Sequence, residues 1–74
     1  MTDWNAELRQ AARHIEQLTR QIAAQERLLT KLRVNGRDDE LAERVLKTLK
    51  EALTTAHSHR EFIRQKIAGD GTSK

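Results

Sequence analysis

The three histidines, His14, His57 and His59, are the side chains of this sequence that bind metal most readily. If the chain folds back near Gly36, as argued below, His14 and His59 fall at the same height and a zinc ion would bridge them. Residues two apart on a helix point in different directions, so His57 and His59 do not converge on one site. Glu16 is the only candidate for a third ligand, and there is no cysteine. We therefore expect His59 to pack at the edge of the helix contact, His57 to be solvated, and no metal to bind.

A second candidate for chemistry is a row of cations on one helix face. Arg13, Arg20 and Arg27 recur every seven residues, and the row extends at each end. The basic ridge comprises Arg9, Arg13, Arg20, Arg27 and Lys31. Guanidinium groups about 10 Å apart along a helix are able to track phosphates. Glu16 offsets the ridge by pairing with Arg20, and no aromatic residues alternate with the cations to stack on bases. Nucleic-acid binding, to RNA above all, is therefore the alternative function.

The composition argues against several other classes. The net charge is +3, from 14 Lys and Arg against 11 Asp and Glu, which is mild for a nucleic-acid binder. There is no nucleophile elbow and no phosphate-binding glycine loop, and a narrow helical hairpin has no cleft. We expect no enzyme activity, no cofactor and no small-molecule substrate.

The length of 74 residues allows one domain. So short a chain usually needs a disulfide, a metal or a partner to be stable, and without cysteine the partner is the natural candidate. The N-terminal residues lack the apolar core of a secretory signal, and no segment approaches the ~20 apolar residues that span a bilayer. We expect a soluble, cytoplasmic protein.

The first half of the chain predicts a helix over about 3–34, which Thr2 or Asp3 would cap. Apolar residues recur at spacings of three and four, the pattern of a helix that packs lengthwise on another. This seam comprises Met1, Trp4, Leu8, Ala11, Ile15, Leu18, Ile22, Leu29 and Leu32. Gln25 interrupts it, either to fix the register and oligomeric state or because it is partly exposed. Trp4 either covers the end of the core or anchors a partner.

Gly36 predicts the end of this helix, because glycine accepts the left-handed conformation at a helix C-terminus. Asp38 would cap the next helix, which gives a turn at 35–38, a second helix over about 39–68 and a flexible tail at 69–74. A short loop makes the two helices antiparallel neighbours. Residues 1–68 should form a single all-α helical hairpin.

The second helix carries more apolar residues than one seam needs. We expect its inner row to be Ala42, Val45, Leu49, Ala52, Ala56, His59 and Ile63. Leu41 should then face Leu32, and Val45 should face Leu29. Leu46, Leu53 and Ile67 would form a second edge that a lone hairpin leaves partly wet. We assign these three residues to the interface of a homodimer, in which two hairpins form a four-helix bundle.

The segment from His14 to Ile63 also resembles a group of short alphaproteobacterial, rhizobial-type helical-hairpin proteins. The resemblance is carried by HIEQLTRQIAAQERLLTKL from His14, by Gly36 with Asp38, by AERVLKTLKEAL from Ala42, and by the pair His59-Arg60. The chain departs from their pattern at 37–39. No activity is assigned to that group, so the resemblance implies a bacterial lineage and no mechanism. In architecture alone the chain is also similar to the Rop-type hairpin dimers that bind RNA.

The sequence therefore predicts a non-enzymatic, self-associating helical hairpin that acts through protein–protein contacts, with an unidentified protein as a possible further partner. A nucleic-acid-binding dimer that uses the basic ridge is the alternative.

Overall fold

Two long helices pack against each other in antiparallel directions. A computed structural model describes residues 2–72, with side chains for residues 2–69. Helix α1 spans Trp4–Val34 and α2 spans Glu40–Thr72, and no strand occurs within 2–72. The hairpin measures 61 × 16 × 15 Å. The prediction of an all-helical hairpin is confirmed. Its length follows from helices that contain no proline and no glycine before Gly69.

The helix ends lie close to the predicted positions, with one difference. α2 continues to Thr72, whereas the sequence predicts a helix end near 68 and a flexible tail. The rest of that tail, 73–74, lies outside the described residues, as does Met1 at the start of the predicted seam. Among residues 2–72 no helix is long and apolar enough to cross a membrane.

The N-terminus of α1 is capped by Asp3. Its Oδ1 accepts a hydrogen bond of 3.1 Å from the backbone N–H of Ala6, and its backbone carbonyl accepts one from Glu7. The cap satisfies one of the N–H groups that a helix start leaves without a partner. Of the two predicted caps, the structure uses Asp3.

The turn depends on Gly36, whose φ of 66° lies in the left-handed region. The N–H of Arg37 donates to the carbonyl of Leu32 at 2.8 Å, and the N–H of Gly36 donates to Arg33 at 3.1 Å. These two bonds form a Schellman motif, which closes α1. Asp38 then opens α2, because its Oδ1 accepts from the N–H of Glu40 at 3.0 Å. Both residues therefore serve as the sequence predicts.

The core is a single line of apolar side chains between the helices. Its cluster near the turn consists of Leu29, Ala42 and Leu46, with Ile22 and Leu32 packed against it. The buried residues farther from the turn are Ala11, Leu18, Ala56 and Ile63. Among the described large side chains, only that of Ile63 is fully buried, with 0% exposed. So thin a core fixes the two helices with little apolar burial to spare.

The side of α2 that enters this core differs in part from the predicted one. Ala42, Ala56 and Ile63 are buried as predicted, whereas Leu46 takes the place of Val45. Leu46 is buried with 9% of its surface exposed, whereas Val45 is 39% and Leu41 is 69% exposed.

Leu29 packs against Ala42 and Leu46, and the predicted partners Val45 and Leu41 lie largely outside the core, where Leu41 still lines a groove with Leu32. One residue corresponds to about 100° around a helix, and because Ala42, Ala56 and Ile63 are buried as predicted, the buried side of α2 turns by about half of that angle. The observed rotation favours the larger leucine, which removes more apolar surface from water than valine does.

Gln25 makes a polar contact between the two helices inside this apolar line. It is half-buried, and its Nε2 donates to the carbonyl of Ala42 at 3.0 Å. The bond joins α1 to the first turn of α2, so it opposes sliding of one helix along the other. Of the two interpretations of Gln25, fixing the register within the hairpin is the one that this bond supports.

Candidate protein-interaction surface

The two long sides of the hairpin, where α1 and α2 meet the solvent, have different chemistry. On one side, Arg33 in the last turn of α1 pairs with two acids that lie just before and within α2. Its Nε lies 2.6 Å from Asp39 Oδ2 and its Nη2 lies 2.6 Å from Glu43 Oε2. Farther along the same side, Lys50 Nζ lies 3.7 Å from Glu26 Oε2. We call this side the ion-paired face, after Glu26, Arg33, Glu43 and Lys50. These four exposed charges have ion-pair partners within the hairpin, whereas Lys47 and Glu51, which line a groove beside Lys50, form no ion pair among the described side chains.

The ion pairs also act on Arg33 itself. Its hydrogen bond to Asp39 raises the pKa of the guanidinium, the attraction of both carboxylates adds to this rise, and desolvation opposes it. The guanidinium is charged at any neutral pH in either case. Arg33 therefore holds the turn end as a permanent cation between two acids.

The opposite side carries no Asp, Glu, Lys or Arg over most of its length, although it includes two histidines. Four lengthwise rows of side chains form this side, two on each helix, and the residues of each row are seven apart in sequence. On each helix one row borders the helix contact and the other lies farther from it. On α1 they contribute His14, Gln17, Gln21, Ala24 and Leu28. On α2 they contribute Leu41, Val45, Thr48, Ala52, Thr55, His59 and Phe62. We call this side the uncharged face. It ends in charges: Glu7 and Lys66 continue its rows at the open end, and Lys31 does so near the turn.

The absence of charge on this face is unusual for the chain. Asp, Glu, Lys and Arg make up 34% of all residues, so about four would be expected among twelve positions, and none is present. Depletion of charged residues is the compositional mark of the core of a protein–protein interface. The face is therefore the strongest candidate surface on the described part of the hairpin.

The exposed apolar side chains concentrate on the same face. Leu28 (45% exposed), Leu41, Val45 and Phe62 (47% exposed) all belong to it, and of the large apolar side chains that the structure exposes only Val34 lies elsewhere. Near the turn, Leu28, Leu41 and Val45 line one shallow groove together with Leu32, and the acidic Asp38 and the polar Gln25 also line it. Exposed apolar groups gathered in one patch mark interaction sites more often than scattered ones do.

Phe62 lies at the open end of the uncharged face, in an aromatic contact. Its ring meets the ring of Trp4 edge to face, with centroids 6.2 Å apart and planes at 76°. Lys66 Nζ lies 5.1 Å from the centre of the Phe62 ring. Trp4 therefore closes the end of the hairpin through Phe62, while nearly half of Phe62 remains open to solvent.

The histidines lie partly together. His14 and His59 line one groove with Glu7, Gln10 and Ala11, so the predicted common height of these two histidines is observed. His59 is exposed rather than packed at the helix contact, and His57 is exposed as well. Within residues 2–72 no three His, Asp or Glu side chains are placed to hold a metal ion.

The basic ridge is exposed along its whole length on α1, outside the helix contact. Arg20 Nη2 lies 3.4 Å from Glu16 Oε1, the predicted pair. Arg13 and Arg27 have no ion-pair partner among the described side chains. The ridge borders the uncharged face without being part of it.

The three residues predicted to form a dimer interface differ in how far the single hairpin covers them. Leu46 is buried against Leu29 and Ala42 inside the hairpin, and Leu53 and Ile67, which follow it in the same row, are half-buried. Leu46 is therefore not part of an uncovered edge. The apolar side chains that the hairpin does leave uncovered are one or more residues away in sequence, on the uncharged face.

Arg60 occupies the same inner row as Leu46, Leu53 and Ile67. It is half-buried, and its Nε is buried without a hydrogen-bond partner among the described residues. A buried donor without a partner costs free energy. The alternative rotation of α2 would avoid this cost but would leave Leu46, Leu53 and Ile67 outside.

Sequence reasoning missed the uncharged face because it searched for surplus apolar residues and for charged rows. The signal was present as four rows, spaced by seven, that lack Asp, Glu, Lys and Arg. These rows can be identified only when it is known which side of α2 enters the core. The burial of Leu46 and the exposure of Val45 give that information.

Comparison with known proteins adds no relative to this picture. No family model, no curated protein and no solved structure matches the chain. The candidate surface therefore depends on its own geometry and composition.

Proposed function

We propose that this protein is a non-enzymatic helical hairpin that associates with a second copy into a four-helix bundle and acts through protein–protein contacts. A cytoplasmic location and a bacterial origin remain predictions from the sequence. The observation that carries the proposal is the large surface that one hairpin leaves exposed.

The chain exposes 5803 Å². A compact monomer of 8.5 kDa would expose about 4,700 Å², so the hairpin exposes about 1,100 Å² more. A standard interface takes about 800 Å² from each partner. The excess is therefore large enough to supply one such interface and still leave an ordinary monomer surface.

The shape supports the same conclusion. The radius of gyration is 17.2 Å, against about 11 Å for a compact chain of this length. An elongated hairpin with a one-line core gains apolar burial by lying beside another hairpin, and C₂ pairing is the commonest form of such association.

Sedimentation equilibrium over micromolar to millimolar protein tests this proposal. We expect the mass of two chains at the upper end. The thermal midpoint should also rise with protein concentration, because association stabilises only the folded state. A mass of one chain at millimolar protein, with a midpoint independent of concentration, would contradict the proposal.

Nucleic-acid binding is the second candidate, and the three unpaired arginines of the ridge, Arg9, Arg13 and Arg27, favour it. An electrophoretic mobility shift with structured RNA tests it at several salt concentrations. Phosphate contacts predict binding that weakens steeply with salt and is lost in the triple variant Arg13→Ala/Arg20→Ala/Arg27→Ala. The triple variant Arg44→Ala/Lys47→Ala/Arg64→Ala on α2 is the matched control, because it removes the same number of positive charges from exposed positions outside the ridge. Equal loss in both variants would exclude the ridge as the binding site.

A further inference from the structure

We infer that the occupant of the uncharged face is the uncharged face of a second copy of this chain. The inference rests on the proposed self-association and adds the surface through which it occurs. Three properties of the face carry it: its composition, its exposed apolar groups and its contrast with the other side.

The composition makes the face complementary to itself. A twofold interface places the same patch on both subunits. A charged side chain in the patch would therefore meet either its own copy, which has the same charge, or another residue of the same patch. The twelve residues of this face include no Asp, Glu, Lys or Arg. Two copies can therefore meet without desolvating a charged side chain, which is the main cost of burying a charged surface.

The apolar groups provide the gain. Leu28, Leu41, Val45 and Phe62 are exposed on this face of the single hairpin, and covering them with a second face removes their apolar surface from water. Small and short side chains, Ala24, Ala52, Thr48 and Thr55, lie among them. Such residues allow a second helix to approach closely.

The other surfaces suit a second copy less well. The ion-paired face holds Glu26, Arg33, Glu43 and Lys50 in contacts that a partner would have to desolvate. The basic ridge would place like charges opposite each other across a twofold axis. An anionic partner, such as a nucleic acid or an acidic membrane surface, would find no cation within the uncharged face itself.

A pair of adjacent threonines gives a matched test. Thr55 lies on the uncharged face, and Thr54 lies beside Lys50 and Glu51, on the ion-paired side. The test variant is Thr48→Glu/Thr55→Glu, and the control is Thr30→Glu/Thr54→Glu. All four positions are exposed on helices, and both variants change the net charge equally. We expect the test variant to raise the dimer dissociation constant at least about 100-fold, with helical content retained, and the control to change it less than about threefold.

Sedimentation equilibrium separates this inference from the proposed function. If the wild type dimerises and both variants dimerise equally well or equally badly, the face is wrong while self-association stands. If the wild type is a monomer at millimolar protein, both proposals are overturned.

A second measurement keeps the test valid should the glutamates unfold the hairpin. The chain has no cysteine, so single Thr55→Cys and Thr54→Cys variants report two neighbouring sites. We expect raising the protein concentration to slow alkylation of Cys at position 55 at least about tenfold and to leave position 54 within about twofold, since an interface excludes water and reagent from its core. Equal protection at both positions, or none at either, would overturn the inference.

Discussion

The ion-paired face and the uncharged face belong to the same two helices, yet they differ in whether their side chains have partners within the hairpin. Arg33, Glu43, Glu26 and Lys50 join α1 to α2 on the first, so these four charges are paired within one chain. The second has apolar groups exposed and no Asp, Glu, Lys or Arg. The difference teaches that the side of a hairpin that lacks internal pairs is the side to examine for a partner. The rotation of α2 decides which residues fall on each face.

The largest expected effect tests that rotation. Leu46→Ala should lower the free energy of unfolding by about 2–5 kcal/mol, because it leaves a cavity beside Leu29. Val45→Ala, one residue away, should cost at most about 1 kcal/mol at protein concentrations where the hairpin is a monomer, because Val45 is 39% exposed in the single hairpin. Urea unfolding followed by circular dichroism at several protein concentrations measures both. If Val45→Ala cost more than Leu46→Ala, α2 would have to be rotated relative to the observed orientation, and the residues assigned to the two faces would change.

The next effect concerns the position where the inner row is not apolar. Arg60→Leu should raise the free energy of unfolding by about 1–3 kcal/mol, since it removes a buried donor without a partner and adds apolar packing. For a domain of this size each 1 kcal/mol corresponds to roughly 4–8 °C in the thermal midpoint.

Arg64→Leu is the control for this change, because Arg64 is exposed one turn later. It should shift stability by no more than about 0.5 kcal/mol. If Arg60→Leu lowered the free energy of unfolding, the guanidinium would stabilise the hairpin by more than the cost of its unpaired Nε.

A smaller effect sharpens the open end of the uncharged face. Phe62→Leu should lower the free energy of unfolding by about 0.5–1.5 kcal/mol relative to the wild type, because leucine keeps apolar bulk but lacks the ring that makes the edge contact with Trp4. Thermal unfolding by circular dichroism gives the difference, and Trp4 fluorescence reports whether its surroundings change. Equal stability of Phe62→Leu and the wild type would show that the ring contact is unimportant.

The smallest effect belongs to the ion-paired face. Because Arg33 lies between Asp39 and Glu43 at the surface, added salt should weaken these pairs. Arg33→Ala should therefore remove much of the salt dependence of the thermal midpoint. Arg27→Ala, an unpaired arginine on the same helix, should leave it unchanged. Identical salt dependence in all three proteins would show that these pairs contribute nothing.

The titration of Arg33 adds no pH dependence near neutrality. Its pKa is raised on folding. A base with a raised pKa contributes its stability at lower pH and loses it only as the pH rises through the folded value. For arginine that range lies far above neutral pH, so ionic strength is the useful variable for this face.

The sequence predicted the local features of the fold and missed the rotation of one helix. Asp3, Gly36 and Asp38 are recognisable because capping and left-handed turns depend on residue type alone. Leu46 and Val45 are both apolar neighbours, so periodicity does not decide which of them enters the core. That choice depends on the packing of the whole inner row, which includes the unfavourable Arg60.

The candidate surface was predicted less well for the same reason. Leu46, Leu53 and Ile67 belong to a row that the hairpin turns toward its own core, so that Leu46 is buried and Leu53 and Ile67 are half-buried. What it leaves outside is a weaker pattern, recognisable only by the charges that it lacks.

The turn and the open end also differ in how far apart along the chain their contacts lie. Arg33 reaches Asp39 across six residues, whereas Trp4 meets Phe62 from the far ends of the two helices. Closing a long loop costs more entropy than closing a short one, so folding should start at Gly36 and proceed like a zipper toward the termini. The indole of Trp4 then reports the last step of folding and the first opening of the native state.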